Sequence, residues 1–136
     1  MILYHFTHRG HLPSILEEGL LRTTESNISI TKANAGPPVV WLFDTPEVPP
    51  ATTDDSLYAA KRQVRFTVNV PKSRVHKWTR WAPALSMDPM WRSAFLKAGG
   101  GHPSAMHWWV SPSSIPARQW LEVTIDGEPI NLTKEH

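Results

Sequence analysis

The chain has no cysteine, which excludes a disulfide framework, a thiolate zinc site and a cysteine nucleophile. That absence fits a reducing compartment, and a cytoplasmic location is the expectation. Long apolar runs are also missing, the most continuous being Val39-Val40-Trp41-Leu42-Phe43, so no segment reads as a membrane-spanning helix and no membrane partner is expected. The opening Met1-Ile2-Leu3-Tyr4-His5 lacks a basic stretch followed by an apolar one, so it does not read as a signal peptide. Charge is sparse: 19% of residues carry one and the formal net charge is +2. This balance permits a nucleic acid as partner without requiring one.

What is present is a chain of 136 residues, 40% of them hydrophobic. That is one domain's worth, with enough apolar surface to fold without staples and too little charge for a disordered tail. The 13 prolines imply many turns and short elements, and the seven tryptophans imply aromatic slabs in a core or cleft.

Residues 2–6 read as an opening strand, and residues 10–20 as a helix whose Leu12, Ile15 and Leu16 share a face, with Pro13 in the first turn and Gly19 as terminator. Residues 22–38 read as a loop with a short strand at 28–30. The run 39–43 reads as a strand buried on both faces, stopped by Asp44-Thr45-Pro46. A short helix is expected at 56–61. Residues 64–70 alternate strictly and read as a half-buried strand. Trp78 and Trp81 fall in an irregular stretch, and Asp88-Pro89 opens a further helix that the glycines at 99–101 close. Residues 107–111 and 120–125 are the remaining strands, and Asp126-Gly127 is a hairpin signal. No period repeats, and strands do not alternate regularly with helices, so the expected class is a single α+β domain spanning residues 1–136.

His5, His8 and His11 recur at equal spacing, but the break near Thr7 puts them on different elements and no acidic cluster completes a shell, so no metal is expected. His8 and His11 read as exposed loop and helix residues. His5 sits within an apolar strand, where a histidine is ordinarily a hydrogen-bonded core residue. The glycines before His102 lack the strand and helix a phosphate cradle needs. The segment from Arg74 to Arg92 interleaves Lys77 and Arg80 with Trp78, Trp81 and Trp91, the pattern of a surface that stacks bases and holds phosphates.

Leu3-Tyr4-His5-Phe6-Thr7, followed by Leu12-x-x-Ile15-Leu16-x-x-Gly19-Leu20, resembles the amino-terminal signature of the ADP-ribosyltransferase-fold superfamily. In style it is similar to the small DNA-targeting ADP-ribosyltransferase toxins and the RNA 2′-phosphotransferases. The run from Val39 to Thr45 also looks like that superfamily's second core strand; beyond residue 60 only the order of elements agrees. The resemblance implies two small β-sheets forming a cleft with flanking helices, and NAD as co-substrate. It assigns His5 to a ribose hydroxyl, the Phe6 backbone to the nicotinamide carboxamide, Thr7 to support of His5 or to the ribose, and Trp41 or Phe43 to stacking on the nicotinamide ring. The function it implies is an NAD-dependent ADP-ribosyltransferase, a small toxin or phage-borne effector modifying a nucleic-acid or protein acceptor. The alternatives are an RNA 2′-phosphotransferase-like enzyme that uses NAD, with Arg22, Arg62 or Arg65 holding phosphate, and a non-catalytic binding module on the same scaffold.

The implied reaction is displacement at an anomeric carbon, for which an enzyme places a carboxylate near the developing positive charge. The superfamily's glutamate usually begins a late strand, and here that strand, 107–111, carries no acid. His107 stands at roughly that position. The other candidate is Glu122, on the polar side of the final strand, where an exposed charge on an edge strand is usually solvated. Catalysis is assigned to Glu122 or His107.

Overall fold

The computed structural model describes residues 1–23, 38–46, 63–84, 93 and 106–131. The expected elements at 28–30, 56–61 and 88–101 lie outside the described residues, as do Arg62, Trp91 and Arg92.

Among the described residues there are nine strands. They are β1 (Ile2–Thr7), β2 (Leu20–Leu21), β3 (Val40–Phe43), β4 (Val64–Asn69), β5 (His76–Lys77), β6 (Trp108–Ser111), β7 (Ile115–Pro116), β8 (Trp120–Ile125) and β9 (Glu128–Pro129). Two seven-residue helices join them, α1 (Leu12–Glu18) and α2 (Trp78–Ala84). Seven strands form one antiparallel sheet in the order β5-β6-β3-β1-β4-β8-β9, and β2 pairs with β7 as a separate two-stranded ribbon. The protein is a single small domain of mixed α/β structure, mostly antiparallel strands with few helices. Among the described residues no helix is long and apolar enough to cross a membrane.

Period-two alternation sets the two faces of the sheet. On β4, Val64, Phe66 and Val68 are fully buried while Arg65 and Thr67 are half-buried and Asn69 is exposed. Cross-strand register extends this pattern: Leu3, His5 and Thr7 stand opposite Val68, Phe66 and Val64, and Phe66 stands opposite Val123. This inner face receives Leu12, Ile15 and Leu16 of α1 and Leu21 and Ile115 of the ribbon. Helix α1 begins with proline in its first turn and ends at Gly19, whose φ of 67° a side chain would strain and whose N–H closes on Ile15. Trp120 completes the inner core, edge-on to Phe66 at 4.9 Å, with its indole N–H donated to the Ile115 carbonyl.

The outer face has its own apolar cluster of Trp78, Trp108 and Val110, against which Trp41, Phe43 and Trp81 pack. Here the structure corrects the irregular stretch expected around Trp78 and Trp81, which form helix α2. With β-branched Thr79, Pro83 and no acidic first turn, the segment has little intrinsic helical preference. Burial of Trp78 against Trp108, rings 5.0 Å apart, overrides it. The run 39–43 is likewise not buried on both faces, since Trp41 and Phe43 are half-buried. Nor is β8 an edge, because Asp126 and Gly127, both at positive φ, turn the chain into β9.

Phe66 lies at the centre of this arrangement, fully buried. Replacing it with alanine is expected to cost about 3–5 kcal/mol in urea unfolding, whereas Leu121→Ala, at an exposed position, should change stability by no more than about 0.5 kcal/mol.

Candidate functional site

The sheet changes character between β1 and β3. All six residues of β1 pair with β4, from Ile2 opposite Asn69 to Thr7 opposite Val64. β3 registers with β1 only at Tyr4 opposite Phe43. Continued pairing would bring His5 beside Leu42 and Phe6 beside Trp41. Instead the His5 side chain reaches the strand opposite, its Nδ1 standing 2.8 Å from the Trp41 carbonyl oxygen. A carbonyl only accepts, so Nδ1 carries the proton. Burial pushes the His5 pKa below 6.5, and the Trp41 bond opposes that shift only in part. The ring is therefore neutral near pH 7 and Nε2 is a bare acceptor, with no hydrogen-bond partner among the described residues.

Exposure follows the seam. Leu3, Leu42, Val64 and Phe66 are fully buried, yet His5, Phe6, Thr7, Trp41 and Phe43 are all half-buried. The strand parity divides them, His5 and Thr7 on the inner face and Phe6, Trp41 and Phe43 on the outer. Phe6 and Phe43 meet edge to face at 5.5 Å across the seam. The Trp41 ring is held by Trp78 and Trp108, at 6.5 and 6.1 Å. Of the two aromatics expected to stack on a ligand, Phe43 stands at the seam, while Trp41 is tied into the outer cluster.

The two candidate catalytic groups fall on opposite faces. Glu122 is on the outer face, opposite Thr67, which in turn stands opposite Tyr4. Two strand spacings put it about 10 Å from the Tyr4 backbone. Its carboxylate binds the Arg65 guanidinium at 3.1 Å, and that guanidinium lies 5.6 Å from the centre of the Tyr4 ring. Arg65 Nε is buried without a hydrogen-bond partner. His107 precedes β6 and belongs with the inner face. Its Nδ1 lies 2.7 Å from Asp44 Oδ1, and Asp44 Oδ2 accepts from the Trp109 indole N–H at 3.1 Å. The Asp44 backbone N–H also donates to the His107 carbonyl. The carboxylate holds the imidazole with its proton on Nδ1, leaving Nε2 as a base on a side chain 41% exposed.

Asp44 and Arg65 are the partners that make these two groups more than isolated side chains. In the sequence Asp44 marks only the end of a strand. Its role becomes visible once β3 and β6 are paired, since their register sets residue 44 against residue 107. Arg65, one of the arginines expected to hold phosphate in the phosphotransferase alternative, occupies the polar phase of β4 and is paired with Glu122.

The other candidates resolve into structural roles. His8 Nδ1 accepts from the Gly10 N–H and caps the turn before α1, and His11 is exposed. Among the described residues no group of three or more histidines or carboxylates is placed to hold a metal. Trp78 and Trp108 are buried, so neither offers a face to a base.

No protein-family model matches this chain, and no curated protein or solved structure does either. The functional reading rests on the residues of the seam.

Because His5 is neutral in the folded protein and takes up a proton near pH 6.5 when unfolded, the unfolded state binds more protons as pH falls below about 6.5. Stability contributed by the buried neutral ring is present above that value and lost on acidification toward the lowered folded pKa. Thermal unfolding between pH 7.5 and 5.5 should show a smaller fall in Tm for His5→Gln than for the wild type; equal falls would show that His5 does not titrate in this way.

Proposed function

We propose that this protein is an NAD-dependent ADP-ribosyltransferase that modifies a nucleic-acid or protein acceptor, with NAD held in the seam between β1 and β3. The observation that carries the reading is the His5 imidazole, locked through Nδ1 to the Trp41 carbonyl with Nε2 left as an acceptor. In this reading the seam divides the large sheet into β5-β6-β3 and β1-β4-β8-β9 and serves as the cleft of an ADP-ribosyltransferase-like fold.

The residues present suit the ligand. His5 Nε2 accepts from a ribose hydroxyl. The β1 edge beyond Tyr4 has no registered partner on the β3 side, so backbone groups at Phe6 are available to a carboxamide, a group with both donor and acceptor. Phe6 and Phe43 supply a half-buried apolar wall for a flat ring. Thr7 lies on the same face as His5 and extends the polar rim.

NAD supplies an electrophilic anomeric carbon with nicotinamide as the leaving group. The chain's part is to orient it and to manage one proton and one charge. His107, on the same face as His5 and braced by Asp44, receives at Nε2 the proton that an acceptor hydroxyl or amine gives up. Glu122, paired with the Arg65 guanidinium, offers negative charge on the face of Phe6 and Phe43.

The test is free nicotinamide released from NAD with single-stranded DNA, RNA or lysate protein supplied in parallel. Release should require one acceptor class, vanish in His5→Ala together with the rise in Tm that NAD produces, and fall about 10²–10⁴-fold in Asp44→Asn. A rise in Tm without release under any acceptor would make the chain a binding module. Neither effect would remove NAD from the seam.

A further inference from the structure

A second site lies away from the seam. The connection leaving β4 crosses the sheet as a turn of 3₁₀ helix at Lys72–Arg74 to reach the edge strand β5, anchored by buried Val75. It meets the loop that follows β6, together with a second 3₁₀ turn at Ala117–Gln119. Between them is a groove of about 190 Å³ whose polar lining is Arg74, Arg118, Ser111, Ser113, Ser114 and Gln119, with no carboxylate.

Three of the described arginines elsewhere are held by carboxylates. Arg9 pairs with Asp126, Arg22 with Glu18 and Arg65 with Glu122. Arg74 and Arg118 are exposed and have no carboxylate partner among the described residues. Ser111 Oγ donates to the Ser113 carbonyl and accepts from the Ser113 N–H, which fixes the serine turn. The Ser113 and Ser114 hydroxyls make no hydrogen bond among the described residues. Two arginines and two serines with free hydroxyls lining one acid-free groove are the donor set for a phosphate, whose oxygens take guanidinium forks and hydroxyl donors together.

The cations also continue past the groove. Lys72 and Arg80 are exposed and Lys77 is half-buried on the same run into β5 and α2, and residues 71–81 contain no acid. A site for one free phosphate has no use for such a track, whereas a polymer of phosphates does. No aromatic side chain lines the groove, so it would grip backbone and leave bases unread. We infer that this groove binds the phosphates of a nucleic-acid backbone. The inference goes beyond the NAD reading and stands without it; if both hold, the acceptor is a nucleic acid.

The test uses fluorescence anisotropy of two fluorescein-labelled single-stranded oligonucleotides of unrelated sequence, without NAD. The wild type, Arg74→Gln, Arg118→Gln and, as a control, Arg9→Gln are compared, with inorganic phosphate and pyrophosphate as competitors. Each groove variant should weaken binding about tenfold, equally for both sequences, and lower the slope of log affinity against log salt by about 0.7. Arg9→Gln should match the wild type, and since both groove arginines are exposed, all Tm values should agree. Unchanged affinity in both groove variants would overturn the inference. So would no oligonucleotide binding, or binding of pyrophosphate alone, which would make the groove a small-anion site.

Discussion

The hydrogen bond from His5 Nδ1 to the Trp41 carbonyl sets how the two parts of the large sheet meet. A backbone ladder at this point would leave every polar group on both strands satisfied and the strands closed against each other. An imidazole in its place satisfies the same carbonyl from a side chain, so β3 remains attached to β1 while registering with it at only one residue pair. The substitution works because the ring is neutral: a charged imidazolium would bring a full charge against the inner core beside Phe66, 6.3 Å away. Neutrality in turn specifies the free nitrogen as an acceptor. One choice of residue therefore accounts for the attachment of β3 to β1 at this point and for an unpartnered acceptor nitrogen beside it.

Around that bond the two faces carry different chemistry. The inner face carries His5 and, separately, a cluster of Asp44, His107 and Trp109 in which one carboxylate accepts from both an imidazole and an indole. The outer face carries aromatic surface from Phe6 to Trp108 and a Glu122–Arg65 pair over Tyr4. Among the described residues, basic side chains without a carboxylate partner gather on the run from Lys72 to Arg80 and at Arg118. The net charge of +2 conceals that local excess.

Elements governed by local pattern were legible in the sequence. β4 could be read because burial of one face imposes period two, and α1 because its apolar face, first-turn proline and terminal Gly19 agree. The turn into β9 could be read because Asp126-Gly127 tolerates positive φ. Helix α2 could not, since packing of Trp78 on Trp108 rather than propensity makes it. Nor could the site's partition between faces. Alternation within a strand says which side chains share a side of that strand, but only inter-strand register says which sides coincide. His5 meets Trp41 through a backbone carbonyl, while its ring lies on the opposite face from the Trp41 and Phe43 rings. Asp44 and His107, brought together by register across 63 positions, leave no local signal at all.

The central claim is most directly tested by a long-range proton–nitrogen NMR spectrum of the His5 ring at pH 7.5, assigned by comparison with His5→Gln and repeated with NAD. The expected spectrum is that of a neutral ring protonated at Nδ1, with a bare Nε2 whose resonance moves when NAD is added. A ring protonated at Nε2, a charged ring, or an Nε2 signal indifferent to NAD would contradict it.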